Sequence, residues 1–373
     1  MKLKIVMLLS RIDQTGMTTH TLDLTKGLVQ EGNEVFVISG ASPIENNQEL
    51  IKLKDRFFGS GAKIVEFKIP EGNLFIKSLN GILSILYIQL QLLKINPHII
   101  HVQSPYMSFI PWFLNKKFLS TLHVTDLVKT FKYKNATHLI AISEETKKYA
   151  IELYGYKERN ISKVLHGVSK NFSIQMDEKE RDEFKINAKI PLDKIIIGMV
   201  ASIEKRKGHD VLLKAIQLLS DEQKDEIHIV LLGSSKDGRT NEWLKNVIKL
   251  TDTASLITRF NYQYPNKFYD IMDIFVLPSR LEGFPLVVLE AMMSNCCVVR
   301  SNNEGAKDSI ENGIDGFIFE NEDVIALSEI LKKLIVNEKE RKNVARNGQI
   351  KALNCFSIES MTKNTTKVYE KIL

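Results

Sequence analysis

The 373-residue sequence has only three cysteines, and none belongs to a recognisable ligand pattern. Cys296, Cys297 and Cys355 form no CxxC pair and no Cys/His spacing, so neither a zinc site nor a disulfide framework is indicated. This cysteine usage fits a reducing compartment, and we expect a cytoplasmic protein.

Signals for export or membrane insertion are also scarce. The first apolar run, "KLKIVMLL" (2–9), is ended by Arg11 and Asp13 too early for a signal peptide, so we interpret it as a strand. The most apolar long run, "GILSILYIQLQLLKI" (81–95), is interrupted by Gln89 and Gln91 and is too short to span a bilayer. We expect a packed helix there and no transmembrane segment.

The net charge of +6 is not accompanied by an RNP, zinc-finger or other nucleic-acid signature. Residues 1–170 carry 22 Lys+Arg against 14 Asp+Glu, whereas residues 171–373 carry 29 against 31. This asymmetry indicates different partners for the two halves, and a nucleic acid is not an expected partner.

Strand and helix patterns alternate in two series, and the length favours two domains. The predicted strands cover 2–9, 33–40, 62–69, 98–104, 118–124, 138–143, 194–202, 227–234, 255–261, 274–279 and 296–301. Between the series, 171–193 is charged and poor in strand formers. We therefore predict an α/β protein with an N-terminal domain over 1–170, a linker over 171–193 and a C-terminal domain over 194–356.

The segment "RLEGFPLVVLEAM" (280–292) places two carboxylates around an apolar run. Glu282 follows a predicted strand, and Glu290 lies inside a helix that begins near Pro285. Ligands of open α/β sheets bind at the carboxyl ends of strands, and a helix N-terminus attracts phosphate. The pattern predicts an anion site flanked by two acids. The alternative is that Glu282 caps the helix and Glu290 is a solvated surface charge.

Several motifs together resemble the retaining, nucleotide-sugar-dependent glycosyltransferases of family 4 (group 1) of bacterial type. "PSRLEGFPLVVLEAM" is similar to their E-x7-E motif, and other matching segments follow in order: "HVQSP" (101–105), "STLHVTD" (120–126), "VLHGVSKNF" (164–172), "SIEKRKGHDVLLKAI" (202–216) and the segment 301–331. The resemblance covers essentially the whole chain. It implies the GT-B fold, in which two Rossmann-like parallel-sheet domains face a deep cleft.

The resemblance also implies roles for individual residues. Glu282 and His123 would act on the donor sugar as the catalytic pair, and Glu290 would bind the ribose. The remaining donor-binding residues would be Gly16, Ser202, Arg206, Lys207, Gly283, Phe284, Pro285, Leu286, Asn261 and Tyr262. The nucleotide sugar is a co-substrate, and no other cofactor is expected. No Asp-x-Asp triplet occurs in the sequence, which agrees with a site that needs no metal.

Each role has a simpler alternative. His123 fits an ordinary buried histidine, Lys207 fits one charge of the exposed run "EKRKG", and Gly16 fits turn chemistry. His20 and His101 are interpreted as structural.

The sequence departs from the family pattern at several positions. Ser202 stands where relatives carry an arginine that pairs with the lysine on the diphosphate, and Arg206 is its nearest substitute. Glu304-Gly305 replaces a Gly-Gly pair, Asp308 replaces a glutamate, and "HGVS" (166–169) replaces "NGVD". With Ser202 in place of this arginine, the sequence leaves open whether the site binds the diphosphate strongly enough for transfer.

Basic and aromatic residues are interleaved in "SFIPWFLNKKF" (108–118) and "DLVKTFKYKN" (126–135). Such segments fit either an anionic membrane surface or a core helix with a solvated end. The first interpretation favours a lipid-linked, glycan or polymer acceptor and a peripheral position on the inner face of the membrane. A C-terminal helix over 357–373 is expected to return to the N-terminal domain.

We therefore expect a hexosyltransferase that moves a sugar from a UDP sugar to a hydroxyl of an envelope glycan, glycolipid or polymer. Two alternatives stay open: a non-catalytic or chaperone-like partner of another transferase, for which Ser202 is the only support, and a nucleotide-sugar epimerase of related fold.

Overall fold

A computed structural model describes residues 2–13, 15–41, 48–125, 133–235 and 237–373. The chain divides into two compact units, which are residues 1–167 with 358–373 and residues 168–357. Each unit is a parallel sheet covered by helices. The predicted fold class, two α/β domains with parallel sheets, is confirmed.

The described residues form seven strands in the first sheet and six in the second. Their bounds are β1 Lys4–Leu8, β2 Glu34–Gly40, β3 Lys63–Phe67, β4 Ile99–Val102, β5 Leu119–Leu122, β6 His138–Ala141, β7 Ile161–Lys163, β8 Ile195–Val200, β9 Ile227–Leu232, β10 Ile257–Phe260, β11 Ile274–Leu277, β12 Cys297–Ser301 and β13 Phe317–Phe319. The order is β3-β2-β1-β4-β5-β6-β7 in the first sheet and β10-β9-β8-β11-β12-β13 in the second.

Helices connect and cover these strands. The α-helices are α1 Gly16–Gln30, α2 Gln48–Phe58, α3 Leu74–Ile95, α4 Phe109–Phe113, α5 Glu144–Glu152, α6 Glu178–Asn187, α7 His209–Gln217, α8 Asp221–Asp225, α9 Gly238–Leu250, α10 Asn266–Asp270, α11 Leu286–Met293, α12 Ala306–Ser309, α13 Val324–Val336, α14 Glu338–Cys355 and α15 Ile358–Glu370. Short 3-10 helices cover Pro105–Ser108, Glu158–Asn160, Lys170–Ser173, Lys205–Lys207 and Ala254–Leu256.

The eleven strands predicted from apolar runs are all present, since strands buried on both faces form nearly continuous apolar segments. The sequence pattern does not predict β7 or β13. Each has three residues and forms one edge of its sheet, and so short a segment carries too little periodicity to be recognised.

The C-terminal helix α15 belongs to the first unit, where it packs on α1. The two helices approach closely at Gly27: a β-carbon there would lie 2.0 Å from Thr362 Oγ1 and 3.0 Å from Ile358 Cγ2. Further along α15, Met361 and Val368 enter the core that also holds the apolar residues of α1. The close helix contact therefore depends on glycine having no side chain.

The segment 171–193, which the sequence indicated as a linker, is folded as part of the second unit. Phe172 is buried there against Tyr264 and Tyr269, and its carbonyl oxygen accepts a hydrogen bond of 2.8 Å from Ser294 Oγ. Helix α6 follows with a capping box at Asp177. Charged composition here marks the solvated side of a short helix and not a free connection.

The run 81–95 is helical as expected, but the expectation of a packed helix is wrong for most of its surface. Helix α3 begins at Leu74, and its inner face is buried at Ser84, Ile88, Leu92 and Ile95, while most of its other apolar residues are exposed. Among the described residues, α3 alone is long and apolar enough to cross a membrane by length and composition. Apolar residues occur all around this helix, so periodicity did not reveal which face is covered.

We expect Gly27→Ala to lower the free energy of unfolding of the first unit by about 1–3 kcal/mol, because the added methyl group overpacks the contact with Thr362. The sign is informative because alanine normally favours a helix over glycine by about 1 kcal/mol. Urea unfolding followed by circular dichroism measures the change. Gly16→Ala in the same helix is the control, since its β-carbon would meet nothing within 4 Å. A stabilised Gly27→Ala variant would contradict the packing described.

Candidate functional site

The second sheet reverses its strand order between β8 and β11, which are neighbours although far apart in sequence. Crevices in open α/β sheets form at such a reversal, at the carboxyl ends of the strands. The loop after β8 carries Lys207, and the loop after β11 carries Glu282. The topology therefore brings together two of the predicted site residues.

Lys207 and Glu282 form a direct ion pair. Lys207 Nζ donates to Glu282 Oε1 at 2.5 Å, and the two side chains are only 15% and 9% exposed. Arg206 lies on the other side, with Nη1 at 3.8 Å from Glu282 Oε2 and donating to the Leu281 carbonyl oxygen at 2.9 Å. Lys207 is thus not a freely solvated charge of the run "EKRKG". The pair presents a cation and a carboxylate at one point of the sheet edge.

Glycine at position 208 allows the two loops to meet. Gly208 has a left-handed conformation (φ +76°), and a β-carbon there would lie 1.9 Å from the Pro278 carbonyl oxygen at the end of β11. No residue with a side chain fits so close to another backbone. Gly208 therefore allows the loop that carries Lys207 to come close enough to the end of β11 for Lys207 to reach Glu282.

Arg280 ties the same loops together, and the sequence reasoning missed it. Its guanidinium donates to both carboxylate oxygens of Asp210, at 3.1 and 2.9 Å, and Nε donates to Glu322 Oε1 at 2.8 Å. The hydrogen bond with Asp210 raises the pKa of Arg280 further above its ordinary value. Such bidentate pairing is specific to arginine. The detectable signal was an arginine directly before the E-x7-E motif.

Helix α11 begins at Leu286, with Pro285 at the N-cap and no side chain capping its first turn. The capping alternative for Glu282 is therefore excluded. Val288 and Leu289 are fully buried, which anchors the helix in the core. The backbone N–H groups of the first turn follow directly after the Glu282 loop, an arrangement suited to an anion.

Glu290 is buried, so the solvated alternative does not hold for it either. Its Oε2 accepts a hydrogen bond of 2.8 Å from the hydroxyl of Tyr269, which is fully buried. Burial, and then the neighbouring carboxylate, raise the pKa of Tyr269 well above its ordinary value, which keeps the hydroxyl a donor. Tyr269 orients Glu290 and was not identified from sequence, because nothing local distinguishes it from a core tyrosine.

The loop after β12 packs onto the Glu282 loop. Gly305 is left-handed (φ +71°), and a β-carbon there would lie 2.7 Å from the Gly283 carbonyl oxygen and 2.6 Å from the Phe284 ring. Arg300, fully buried on β12, donates to the Glu304 carbonyl oxygen at 3.1 Å and to Ser309 Oγ at 3.1 Å. Arg300 was also missed, although a charge ending the apolar run "CCVVRS" was the available signal.

The other predicted donor residues of this unit lie at the same sheet edge. Ser202 follows β8, and its hydroxyl donates to Glu204 Oε1 at 3.2 Å. Asn261 and Tyr262 follow β10 and are exposed, with the Tyr262 amide donating to Ser234 Oγ at 2.9 Å. Their positions are compatible with nucleotide contacts, and their roles stay predictions.

In the first unit, His123 follows β5 and is held by one defined hydrogen bond. Its Nε2 lies 2.9 Å from Gln103 Oε1. A carbonyl oxygen only accepts, so the proton of the imidazole resides on Nε2. Burial, and then the neighbouring His20 and His101, keep the pKa of His123 well below its ordinary value. His123 is thus a neutral imidazole, and its Nδ1 has no hydrogen-bond partner among the described residues.

Behind His123 a chain of hydrogen bonds leads to the C-terminal helix. Gln103 Nε2 lies 3.2 Å from His101 Nε2, and His101 Nδ1 lies 2.9 Å from the Tyr369 hydroxyl on α15. Thr121 Oγ1 also contacts His101 Nε2 at 2.7 Å. His101 is fully buried and hydrogen-bonded, as its structural interpretation requires. This series of hydrogen bonds fixes the orientation of the Gln103 amide and, through it, the tautomer of His123.

His20 stands beside His123 with a ring-centroid distance of 5.0 Å, and its ring lies 4.3 Å from that of His166. Burial lowers the pKa of His20 to about 3. Gly16 begins α1, whose N-terminus is capped by Thr15, and space around its α-carbon is open. Its role toward phosphate stays a prediction. No group of three or more His, Cys, Asp or Glu side chains suited to a metal ion occurs in the described ranges.

We expect Gly208→Ala to lower the free energy of unfolding of the second unit by about 3 kcal/mol or more, since the clash with a backbone carbonyl cannot be relieved by a rotamer change. Trp243 lies in this unit and reports its urea unfolding by fluorescence in a Trp112→Phe background. Gly238→Ala is the control, because its β-carbon would meet nothing within 4 Å. Equal stability of the two variants would refute the close contact.

Acidification is expected to destabilise the first unit. An unfolded histidine binds a proton below pH 6.5, whereas folded His20 stays neutral down to about pH 3, so its contribution is present above pH 6.5 and is lost as the pH falls. His20→Gln should reduce the slope of unfolding free energy between pH 6 and 4.5 by about 1.4 kcal/mol per pH unit at most. Burial raises the pKa of Asp23 to about 6, which opposes this trend equally in both proteins. Urea unfolding of Trp243→Phe proteins, followed at Trp112, measures the slopes, and identical slopes would contradict the assignment.

Two family models match the chain. The model described as Glycosyltransferase Family 4 matches residues 14–172, and that described as Glycosyl transferases group 1 matches residues 180–351. The matches are consecutive and together span most of the chain. The first match covers strands β2–β7, and the second covers strands β8–β13.

Relatives agree with these matches. The capsular polysaccharide biosynthesis glycosyltransferase CapM of Staphylococcus aureus is 30% identical over 64% of this chain and 62% of its own length. An N,N'-diacetylbacillosaminyl-diphospho-undecaprenol alpha-1,3-N-acetylgalactosaminyltransferase of Campylobacter jejuni is 27% identical over 65% of this chain. The aligned part thus spans 62% of both relatives.

Solved structures show the same fold. A glycosyltransferase from Rickettsia africae superposes with a TM-score of 0.82 at 22% identity over 100% of this chain and 98% of its own. HepE of Anabaena, solved in complex with UDP, gives 0.82 at 15% identity over 99% and 100%. With the two family matches, the chain therefore belongs to the family 4, group 1 glycosyltransferases and has the GT-B fold.

Proposed function

We propose that this protein transfers a sugar from a UDP sugar to a hydroxyl of a cell-envelope glycan, glycolipid or polymer, with retention at the anomeric carbon and without a metal ion. The observation that carries the proposal is the ion pair of Lys207 and Glu282 at the strand-order reversal of the second sheet. It combines a cation for the diphosphate with a carboxylate for the sugar.

The charges suit the breaking of a bond between a sugar and a diphosphate. The leaving nucleoside diphosphate gains negative charge, which Lys207 and the first turn of α11 are positioned to stabilise. The sugar carbon gains positive charge, for which a carboxylate is the favourable neighbour. When a diphosphate takes Lys207, Glu282 becomes available to accept hydrogen bonds from sugar hydroxyls. Lys207 and the first turn of α11 are thus proposed to supply the positive charge that a metal ion would otherwise provide.

The ribose and the sugar have their own candidate partners. Glu290, oriented by the Tyr269 hydroxyl, is the proposed acceptor for ribose hydroxyls. His123 is the proposed acceptor for a sugar hydroxyl, because its proton is committed to Gln103 and a lone pair remains on Nδ1. Asn261 and Tyr262 are proposed to flank the base, and Ser202 and Gly16 to lie near the phosphates.

The class of donor and acceptor is supported by relatives. HepE binds UDP, and the Campylobacter relative is named for transfer to a diphospho-undecaprenol carrier. We extend both to this chain: UDP as the nucleotide, and an envelope saccharide, lipid-linked or polymeric, as acceptor. A cytoplasmic protein that is peripheral on the inner face of the membrane would meet both substrates.

The experiment compares Lys207→Ala with Lys205→Ala, a lysine that is exposed two positions earlier in the same turn. We expect Lys207→Ala to weaken UDP binding by about 10- to 100-fold, since a charged hydrogen bond contributes roughly 1.5–3 kcal/mol. Lys205→Ala should change it less than about twofold. Calorimetric titration of the purified protein with UDP measures both, and equal affinities of the two variants would overturn the assignment of Lys207.

Turnover separates the proposed reaction from its alternatives. With no other acceptor present, purified protein with a panel of UDP sugars should transfer the sugar to water and release UDP, without change on addition of EDTA, and Glu282→Gln should lower that rate at least about 100-fold. NMR of the first product formed reports whether the anomeric configuration is retained. An epimerase would convert the donor sugar with no release of UDP, and a non-catalytic partner would leave every donor intact in wild type and variant alike.

A further inference from the structure

Helix α3 presents an apolar face to solvent on the side opposite its packed face. Ser84, Ile88, Leu92 and Ile95 are buried, and at 100° per residue they point in one direction, while buried Gln89 lies between this direction and the outer side. In the opposite direction, within an arc of roughly 80°, lie six large apolar side chains that are 49–79% exposed. These six residues, Phe75, Leu79, Ile82, Leu86, Leu90 and Leu93, are termed the outer face of α3. An ordinary surface helix carries polar residues there.

The outer face is large for a soluble surface. Twenty-two residues at a rise of 1.5 Å give a helix of roughly 33 Å, and a stripe ~10 Å wide along it reaches the size of the largest apolar patches on soluble monomers, which usually mark interaction sites. Leaving this area in water is unfavourable, because burial of apolar area stabilises by about 25 cal/mol per Å². The size of the outer face therefore indicates that it contacts another apolar surface.

The unit that carries the outer face has a net positive charge. Residues 72–125 contain no Asp or Glu but four lysines, of which Lys94 lies beside the edge of the outer face at 100° per residue, whereas Lys77 lies on the opposite side of α3. Helix α4 packs beside α3, and its exposed Trp112 lies under Lys134 Nζ at 4.4 Å from the ring centroid. The first unit as a whole carries 24 Lys+Arg against 16 Asp+Glu. An apolar stripe with Lys94 beside its edge, next to an exposed tryptophan that contacts Lys134 and on a unit of net positive charge, complements an anionic bilayer surface.

The packing of α3 decides how it meets the bilayer. Its inner face closes the core that contains Val6, Ile100 and Phe118, and Ser84 Oγ donates to the Lys68 carbonyl oxygen at 2.6 Å. If α3 crossed the membrane, Ile88, Leu92 and Ile95 would leave this core and expose it. A helix held on one side by a sheet and apolar on the other lies in the plane of the interface.

A second copy of the chain suits the outer face of α3 less well than an anionic bilayer does. Pairing two outer faces would bring two units of net positive charge together, and neither α3 helix carries an acidic residue to offset it. Anionic lipid supplies the missing negative charge. We propose that the outer face of α3, together with the exposed end of α4, binds an anionic lipid bilayer with the helix axis parallel to its surface.

This inference deepens the membrane position stated under the proposed function, but it does not require transfer activity. Residues 126–132 of the basic and aromatic segment 126–135 lie outside the described residues and carry no part of it. The surface assigned here is α3, which the sequence had indicated as core.

The test is flotation of the purified full chain with vesicles of phosphatidylcholine containing 30% phosphatidylglycerol, in the absence of nucleotide sugar. Leu86→Glu/Leu90→Glu should lower vesicle binding by about tenfold or more, because two carboxylates enter the apolar contact and oppose the anionic surface. Leu250→Glu/Val336→Glu is the control: it alters two apolar residues of the second unit that are even more exposed (79% and 78%) than Leu86 and Leu90 (49% and 62%), and it should bind as wild type does.

Circular dichroism and thermal unfolding of the α3 variant should equal those of wild type, since both substituted positions are exposed. In a Trp243→Phe protein, the emission of Trp112 should shift to the blue on addition of the same vesicles. Equal binding by the α3 and control variants overturns the proposal. So does a wild type that ignores the vesicles but sediments as a dimer, with the α3 variant monomeric. Vesicle binding that survives in a protein without transfer activity refutes only the proposed function.

Discussion

The contact between Gly208 and the Pro278 carbonyl oxygen is the constraint on which the second unit's site depends. It brings the loop after β8 against the end of β11, and the short ion pair of Lys207 with Glu282 exists only at that separation. Parallel strands supply the edge, but they do not set distances between loops. A glycine in the left-handed conformation and the bidentate contact of Arg280 with Asp210 do so. The charged groups of the candidate site are consequently held next to each other by the fold itself, and the proposed stabilisation of a developing charge would use such preorganisation.

The first unit achieves order by a different means. There a buried chain of polar groups connects His123 through Gln103 and His101 to Tyr369 on the last helix. Buried polar groups without partners are costly, so such a chain holds each member in one orientation. The return of α15 to this unit therefore supplies a hydrogen-bond partner as well as apolar cover. The same unit carries the positive charge and the exposed α3, which separates its surface properties from those of the nearly neutral second unit.

The structure confirms the predicted strands but differs from the predictions for α3 and for the segment 171–193. The strands were predictable because both faces of a parallel sheet are buried, so each strand is a continuous apolar run; β7 and β13 escaped because three-residue edge strands carry no such run. Helix α3 was assigned correctly as a helix and incorrectly as core. Its apolar residues surround the axis, and composition contains no information about which of two apolar faces another element covers. The prediction of a linker over 171–193 has a similar cause, because the charged side of α6 has the composition of a solvated linker.

The sequence by itself determined the class of fold, the order of motifs and the pair of acids around Pro285, since these follow from local patterns and from the resemblance to a family. Only the tertiary structure decided which partners those groups have: Lys207 on Glu282, Tyr269 on Glu290, Gln103 on His123. It also revealed Arg280, whose partners Asp210 and Glu322 are distant in the chain, and Arg300, which binds the loop that directly follows it. The physical reason is that hydrogen bonds and ion pairs act over about 3 Å between groups far apart in sequence, so no local pattern encodes them.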